Sequence, residues 1–226
     1  MLVRNWMSGD VVTIGPEDSM LDAVNLMKEK NIRMLPVLKD GGLVGVVTDR
    51  DIKRASASDA STLEIHELMY LISKVKVRDI MSKKVTTVPD DFTVEETAEV
   101  MLKSRISGVP VVNKEGRVVG VITQTDLFKV LITITGVEKQ GIQFAFLLKD
   151  ESGSIKEVAD VMRKYGGRLA SIRTSYEDAP EGFRKSYIRM YGVDRFKLED
   201  LKKELRETAR VLYMVDHREG KREIYE

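Results

Sequence analysis

The sequence contains no cysteine and only two histidines, His66 and His217, among its 226 residues. The lack of cysteine excludes disulfide scaffolds, thiol nucleophiles, iron–sulfur clusters and cysteine-ligated zinc sites. The sequence also has no excess of either charge, because its 37 Lys and Arg residues are balanced by 36 Asp and Glu residues. The balance holds on both sides of residue 135, with 18 basic and 19 acidic residues up to that point. No basic half exists that would favour nucleic acid as a partner.

Motifs of catalysis and of membrane insertion are absent as well. The sequence has no Gly-x-Ser-x-Gly, His-Glu-x-x-His or P-loop motif, so we expect neither catalytic residues nor a bound metal. No run approaches the ~18 consecutive apolar residues of a membrane-spanning helix, and we expect a cytoplasmic protein without a membrane partner. The apolar fraction of 42% is nevertheless sufficient for folded cores.

An internal repeat organises the first 135 residues. The segment Val3–Ser8 recurs as Val77–Ser82, at an offset of 74 residues. Later matches keep the same order and pair Pro36-Val37 with Pro110-Val111, and Gly45–Asp51 with Gly120–Asp126. Matches that stay in order over this length indicate a tandem duplication.

Each copy is predicted to fold in the order β-α-β-β-α. The first helix is expected to begin after Ser19 or Thr93, and Thr93 with Glu96 has the pattern of a capping box. The last helix is expected to begin near Asp49 or Gln124. The predicted strands are Val11–Ile14, Leu35–Leu38 and Leu43–Val47 in the first copy, and Val85–Val88, Val109–Val112 and Val118–Ile122 in the second.

Two further predictions concern the helices of this region. In the second copy, the apolar spacing predicts one buried face formed by Val94, Ala98, Met101 and Leu102. Between the copies, Ala55–Ser61 is expected to be a polar linker and Thr62–Ser73 a helix.

The two copies resemble a tandem pair of CBS domains, a Bateman module. The resemblance rests on features that occur twice: a leading Met-Ser, a strand–helix segment, an apolar-Pro-Val strand, and Gly-x-x-Thr-x-x-Asp where the last strand meets the last helix. It implies an α+β protein with a first repeat over 1–58, a linker helix over 59–76 and a second repeat over 77–133. In that family the paired repeats leave two clefts for adenine nucleotides or related adenosyl ligands.

The Thr-x-x-Asp motif also suits a nucleotide on chemical grounds. Thr48 and Asp51, like Thr123 and Asp126, lie where a strand passes into a helix. A helix N-terminus offers unpaired N–H groups to phosphate, and an Asp carboxylate can accept both hydrogen bonds of a ribose diol. The alternative is that each Asp only caps its helix. The agreement between the two copies favours nucleotide binding.

The resemblance further implies that each cleft takes its ribose-binding Asp from one repeat and its adenine wall from the other. The implied residues are Thr48, Asp51, Arg33 and Arg50 with Val85, Thr86 and Ile106 in one cleft, and Thr123 and Asp126 with Val11, Val12 and Ile32 in the other. The second copy has Ser107 in place of Arg33. Because arginine offers phosphate a permanent forked charge, the Asp51 cleft is predicted to bind the more phosphorylated ligand, or to bind it more tightly. Alternatively, Arg33 is a solvated surface residue.

The residues after a linker over 134–141 form a different module. Their apolar patterns predict the order βαββαβ, a ferredoxin-like split βαβ arrangement. The predicted strands are Ile142–Leu148, Leu169–Tyr176, Arg184–Tyr191 and Arg210–Val215, with helices over Ser154–Tyr165 and Leu198–Glu207.

This order, together with the loop before the first helix, resembles an ACT domain over 142–226. ACT domains pair edge to edge, and many bind an amino acid near that loop, which implies a site at Asp150 and Gly153. The usual Pro before the glycine is Ser152 here, so dimerisation without an amino-acid ligand stays open. Two CBS repeats followed by an ACT domain is the arrangement of the acetoin-utilisation, AcuB-like proteins.

These features together predict a regulatory protein without catalytic activity. Its clefts are expected to bind AMP, ADP, ATP or S-adenosylmethionine and to signal through a homodimer to a partner enzyme. The AcuB-like arrangement implies acetoin or amino-acid metabolism as the regulated pathway. A ligand-free dimerisation or adaptor protein and a nucleic-acid-binding regulator are the alternatives.

Overall fold

Residues 1–57 and 72–225 are described by a computed structural model of the chain. They belong to two units, Met1–Phe128 and Lys129–Glu226. The predicted helix Thr62–Ser73 lies almost entirely outside the described residues, as does His66, but residues 72–74 at its end are helical.

The two copies of the repeat follow one another along the chain, and the last helix of the second copy continues from the first unit into the second. The first copy consists of α1 (Met20–Glu29), β1 (Met34–Lys39), β2 (Gly42–Thr48) and α2 (Asp49–Ala57). The second copy follows α3 (Val77–Ile80) and consists of β3 (Val88–Pro89), α4 (Val94–Ser104), β4 (Gly108–Val112), β5 (Val118–Thr123) and α5 (Gln124–Thr135). The β1–β2 and β4–β5 hairpins are antiparallel, and β3 pairs in parallel with β4.

The first predicted strand of each copy is much shorter than expected. Val11–Ile14 is reduced to one parallel bridge between Ile14 and Val37, and Val85–Val88 to the two-residue β3. The chain turns at Gly15-Pro16 directly after Ile14, and Pro89 has no N–H to extend the ladder. The predicted polar linker Ala55–Ser61 is wrong over residues 55–57, which continue α2 as far as Ala57, and its remaining residues lie outside the described part of the chain.

The predicted starts of α1 and α4 are confirmed by their capping boxes. The Ser19 hydroxyl accepts from the Asp22 N–H and the Thr93 hydroxyl from the Glu96 N–H, while each carboxylate accepts from the cap residue's N–H. The predicted buried face of α4 is wrong at Leu102, which is 74% exposed, because Thr97 fills the core instead. At 100° per residue, Leu102 lies at the far edge of an arc centred near Val94 and Met101.

The leading segment of each copy packs on the other copy. Val3 is fully buried in the core of the second repeat, and Val77 is fully buried in the core of the first. Ser8 bridges to Val121 in the same way that Ser82 bridges to Val46. Each repeat therefore contributes its leading segment to the other repeat. We expect this exchange to couple the folding of the two repeats.

Matching glycines make room for this exchange. A Cβ atom on Gly45 would collide with the side chain of Met81, and one on Gly120 would collide with the side chain of Met7. The repeated Met-Ser and the repeated Gly thus belong to the same contact, which explains why both recur in the sequence.

The second unit is a five-stranded antiparallel sheet with helices packed on one face. Its elements are β6 (Ile142–Lys149), α6 (Ser154–Lys164), β7 (Arg168–Ser175), β8 (Phe183–Tyr191), α7 (Leu198–Thr208), β9 (Arg210–Asp216) and β10 (Lys221–Ile224). The strand order is β10-β9-β6-β8-β7, in which the last four strands have the order of the split βαβ fold. Alternate residues of β6, among them Phe144 and Phe146, pack against Met162 and Leu205 of the helices.

The edge strand β10 was not predicted from the sequence because its residues are mostly charged. It pairs with β9, and its Glu223 accepts a hydrogen bond from Lys202 of α7 at 2.7 Å. The Lys202 side chain is only 2% exposed, and Glu199 is its second partner at 2.7 Å. A buried ammonium group requires negatively charged acceptors, and β10 supplies one of the two that Lys202 has.

None of the helices in the described part of the chain is both long and apolar enough to cross a membrane.

Candidate functional site

The two Thr-x-x-Asp motifs form corners of nearly identical geometry. At the end of β2, the Thr48 N–H and hydroxyl donate to Asp51 Oδ2 at 3.0 and 2.6 Å. At the end of β5, the Thr123 N–H and hydroxyl donate to Asp126 Oδ2 at 3.0 and 2.7 Å. Asp51 and Asp126 are each only 8% exposed. The duplication therefore preserves a buried carboxylate at the first turn of α2 and of α5.

Helix capping, weighed above as the alternative role of these residues, is present in both corners. A carboxylate can accept about four hydrogen bonds, and Thr48 donates two, both to Asp51 Oδ2. Asp51 can therefore accept further hydrogen bonds while it caps the helix. Arg54 lies 3.4 Å from Asp51 Oδ1 and is largely exposed, so it can be displaced by a ligand hydroxyl. Capping and ribose binding are compatible at this corner.

Arg33 lies directly beside the first corner. Its carbonyl accepts from the Asp49 N–H at 3.1 Å, and the matching contact in the second copy joins Ser107 O to the Gln124 N–H at 2.9 Å. The side chains of Arg33 and Arg50 are exposed, and within the described residues neither makes a hydrogen bond or ion pair. Positive charge is therefore available near the Asp51 corner and has no counterpart at Ser107.

A side chain of the first repeat reaches the second corner. Met34 is opposite Thr48 in the β1–β2 hairpin, and Gly108 is opposite Thr123 in the β4–β5 hairpin. A Cβ on Gly108 would lie 3.2 Å from Met34 Cε and 3.3 Å from Thr123 Cγ2. Met34 was not singled out in the sequence, because its contact with Gly108 depends on the packing of the two hairpins.

The residues predicted to surround adenine are all partly exposed: Val11, Val12, Ile32, Val85, Thr86 and Ile106. Val12 and Ile32 pack against the core of the first repeat, and Ile106 against that of the second. These three side chains present apolar surface in both repeats. The assignment of all six residues to one cleft or the other stays a prediction.

An open surface depression lies elsewhere, along α1. Its lining includes Asp18, Asp22 and Glu29 but none of the predicted site residues. Its acidic lining is unfavourable for a phosphate. Among the described residues no cluster of three His, Asp or Glu side chains could hold a metal ion.

The loop predicted to bind an amino acid is already engaged within its own unit. Asp150 Oδ1 accepts from the Tyr176 hydroxyl at 3.2 Å and lies 3.3 Å from Arg184 Nη1. Arg184 Nη2 also donates to the hydroxyl of Ser154 at 3.0 Å. Gly153 has a φ of +95° at the start of α6, which explains the glycine without a ligand. Arg184 was not singled out in the sequence because it falls inside a strand pattern.

His217 directly follows β9 and is partly buried. Burial lowers its pKa, and the positive charges of Arg189 and Arg222 lower it further. The described geometry gives this histidine no nucleophilic or metal-binding role.

Both corners lie within segments that match a known domain family. The CBS domain family matches residues 3–58 and 77–133, which together make up half of the chain. The protein belongs to the CBS domain family and contains a tandem CBS pair. The family match ends at residue 133, shortly before β6.

Individual relatives cover the same part of the chain. The CBS domain pair of protein MJ0100, solved in complex with 5′-methylthioadenosine and S-adenosyl-L-methionine, is 32% identical with a TM-score of 0.50, and the match covers 58% of this chain and 95% of that one. CBSX2, a CBS-pair protein from Arabidopsis thaliana, is 28% identical with a TM-score of 0.51, over 59% of this chain and 96% of that one. An uncharacterized protein of Methanocaldococcus jannaschii, MJ1426, is 31% identical over 58% of this chain and 92% of its own length.

One relative is an enzyme of which only a part is matched. Inosine-5′-monophosphate dehydrogenase of Methanocaldococcus jannaschii is 35% identical over 121 residues, which is 21% of that enzyme. The CBS pair thus occurs both in chains close to the length of the pair and within a much longer enzyme.

Proposed function

We propose that the protein is a regulatory, non-catalytic sensor that binds adenine nucleotides or S-adenosylmethionine in its CBS pair. The observation that carries the proposal is the duplicated corner, in which a buried Asp and a Thr meet the N-terminus of a helix in both repeats. The adenosyl ligands of the similar MJ0100 CBS pair support the same ligand class.

The two clefts are proposed to differ in the charge of their ligands. The Asp51 corner has Arg33 and Arg50 nearby, whereas the Asp126 corner has Ser107 and Thr125 at the matching positions. Phosphate groups gain charge-assisted hydrogen bonds from arginine and lose them at serine. ATP or ADP would therefore prefer the Asp51 cleft, and a ligand without phosphate would suit the Asp126 cleft.

The second unit is proposed to act as an ACT-type module in the same cytoplasmic protein. Its strand order supports this proposal, as does the glycine-containing loop before α6. Such a module would dimerise the chain and pass the state of the CBS pair to a partner enzyme of acetoin or amino-acid metabolism. The ion pair between Asp150 and Arg184 favours dimerisation over amino-acid binding at this loop, because both side chains are already paired.

Titration of the full-length protein with AMP, ADP, ATP, S-adenosylmethionine and 5′-methylthioadenosine tests the ligand class. A ligand at 100 times its Kd stabilises the folded state by about 2.7 kcal/mol, which thermal unfolding detects readily. We expect a saturable increase in unfolding temperature with at least one of the five compounds. A flat response to all five, with the protein folded, would instead indicate the ligand-free adaptor.

A further inference from the structure

The face of the second unit's sheet that is turned away from its helices carries two arginines without a counterion. Gln143, Arg173 and Arg189 lie on this face, opposite in direction to Phe144 and Ile188 of the core. Arg189 faces Gln143 in the register of β6 and β8, and Arg173 faces Tyr187 one row away. We call this group of Gln143, Arg173 and Arg189 the arginine face.

Arg189 is a buried cation whose partners are all uncharged. Its side chain is 3% exposed, its Nε donates to the Thr135 carbonyl at 2.8 Å and its Nη2 donates to Gln143 Oε1 at 2.8 Å. Its Nη1 is buried and has no hydrogen-bond partner. Burying a guanidinium group with an unused donor destabilises the folded state unless an anion accepts that hydrogen bond and balances the charge.

Arg173 brings a second positive charge to the same amide. Its Nη2 donates to Gln143 Oε1 at 3.3 Å, so one neutral oxygen serves two guanidinium groups. The Nε of Arg173 is likewise buried without a partner, and no carboxylate in the described part of the chain pairs with either arginine. Burial lowers the pKa of Arg189, and repulsion from Arg173 lowers it further.

From this geometry we propose that the arginine face binds a small organic carboxylate between Arg173 and Arg189. The carboxylate would accept from Arg189 Nη1 and Arg173 Nε, the two unused donors, after a small movement of the partly exposed Arg173. A planar carboxylate matches the planar guanidinium fork and supplies the missing negative charge.

Aromatic side chains next to the arginines favour an organic anion over an inorganic one. Tyr187 and Tyr213 lie in the neighbouring row with ring centroids 6.4 Å apart, and the Gln143 amide donates to the Tyr213 hydroxyl at 3.2 Å. Both rings are partly exposed and offer apolar surface to the body of a ligand.

This site is formed by residues other than those of the loop at Asp150 and of the CBS corners. Gln143 lies in β6 and Asp150 directly follows that strand, and their separation of seven residues corresponds to about 23 Å in an extended chain. Its occupant is therefore proposed independently of the adenosyl ligand, and the two proposals can fail separately.

The test is a titration of the full-length protein with acetate, propionate and benzoate at constant ionic strength, followed by thermal unfolding and calorimetry. We expect saturable stabilisation that strengthens from acetate to benzoate. Arg173→Gln should weaken binding at least tenfold, and Arg189→Lys, which keeps the charge but loses the fork, should weaken it similarly. Arg168→Gln is the matched control, since Arg168 is an exposed arginine on the same strand.

Several outcomes would overturn the carboxylate site. These are the absence of saturable binding by all three carboxylates, equal affinity in the Arg173→Gln and Arg168→Gln variants, or stabilisation by inorganic phosphate that equals that by benzoate. The double variant Asp51→Asn with Asp126→Asn separates the two proposals, because it should remove the response to adenosyl ligands while leaving the response to benzoate within twofold.

Discussion

At the scale of single residues, a Ser or Thr whose N–H and hydroxyl both donate to a carboxylate three residues later occurs four times among the described residues, and the four cases differ mainly in burial. Asp22 and Glu96 close the capping boxes of α1 and α4 in exposed positions, whereas Asp51 and Asp126 are almost fully buried. Burying a carboxylate for capping alone is unfavourable, since an exposed one caps equally well. The burial of both Asp residues therefore supports the proposal that they bind a ligand in addition to capping their helices.

Removal of the Arg33 guanidinium tests the role of charge at the Asp51 corner. In Arg33→Ala we expect about tenfold weaker ATP binding, equal to the loss of one charge-assisted hydrogen bond, and a smaller change for AMP. Isothermal titration calorimetry with both nucleotides measures the difference. Arg117→Ala, which removes an exposed arginine of the second repeat, should change neither affinity. Equal losses for ATP and AMP would exclude a phosphate contact.

Glu223 predicts a pH dependence of stability. Hydrogen bonding to Lys202 lowers its pKa to about 2 from an ordinary value of 4.5. The ionised form is therefore favoured in the folded state, so its contribution is full above pH 4.5 and is lost as the pH falls towards 2. Glu223→Gln should cost about 2 kcal/mol of unfolding free energy at pH 7, with Lys202 left buried and partly unpaired.

Denaturant unfolding of the wild type and of Glu223→Gln between pH 7 and pH 2 checks this prediction. The difference in unfolding free energy between the two proteins should shrink below pH 4.5. Glu207→Gln, an exposed position on α7, serves as the control. A difference that stays constant down to pH 2 would show that the carboxylate charge is not what matters.

At the scale of elements, the exchange of leading segments joins the two CBS repeats. Val3 and Val77 are buried in the opposite repeats, and the Gly45 and Gly120 contacts hold Met81 and Met7 in place. Because each core is incomplete without a segment of the other repeat, we expect the pair to unfold as one cooperative unit.

Val3→Ala tests the exchange directly. It removes two buried methyl groups and should cost about 2 kcal/mol. Hydrogen exchange should then accelerate in β4 and β5 of the second repeat, more than in β1 and β2 of the first. Leu2→Ala, at the exposed neighbouring position, is the control and should have a much smaller effect. Faster exchange confined to β1 and β2 would contradict the exchanged packing.

The elements that the sequence predicted well are those set by local patterns. Alternating apolar residues located β6 and β8, and Ser19, Thr93 and Glu96 located the helix starts. The missed features depend on distant partners: β10 is held by a buried lysine of α7, and Leu102 is exposed because Thr97 faces the core. The motif itself suggested that the Thr-x-x-Asp corners could bind ribose and phosphate. The position of Met34 beside Thr123, in contrast, could be found only from the packing of the two hairpins.

At the scale of the whole molecule, a CBS pair and a split βαβ unit are combined in one chain. The proposed ACT-type role of the second unit requires two copies of the chain. Light scattering of the purified protein should therefore give a mass of about twice the 25.6 kDa of one chain. A monomer at micromolar concentration, with or without adenosyl ligand, would contradict signalling through a homodimer.

The most direct test of the central claim is calorimetric titration of adenosyl ligands into the full-length protein and its Asp51→Asn, Asp126→Asn double variant. The substitutions keep the side-chain shape and remove the charge that would accept the ribose hydroxyls. Asp22→Asn weakens the same kind of capping box away from the corners and controls for lost helix stability. The wild type and Asp22→Asn should bind with equal affinity, and the double variant at least 30-fold more weakly. A folded double variant that binds within twofold of the wild type would contradict the account.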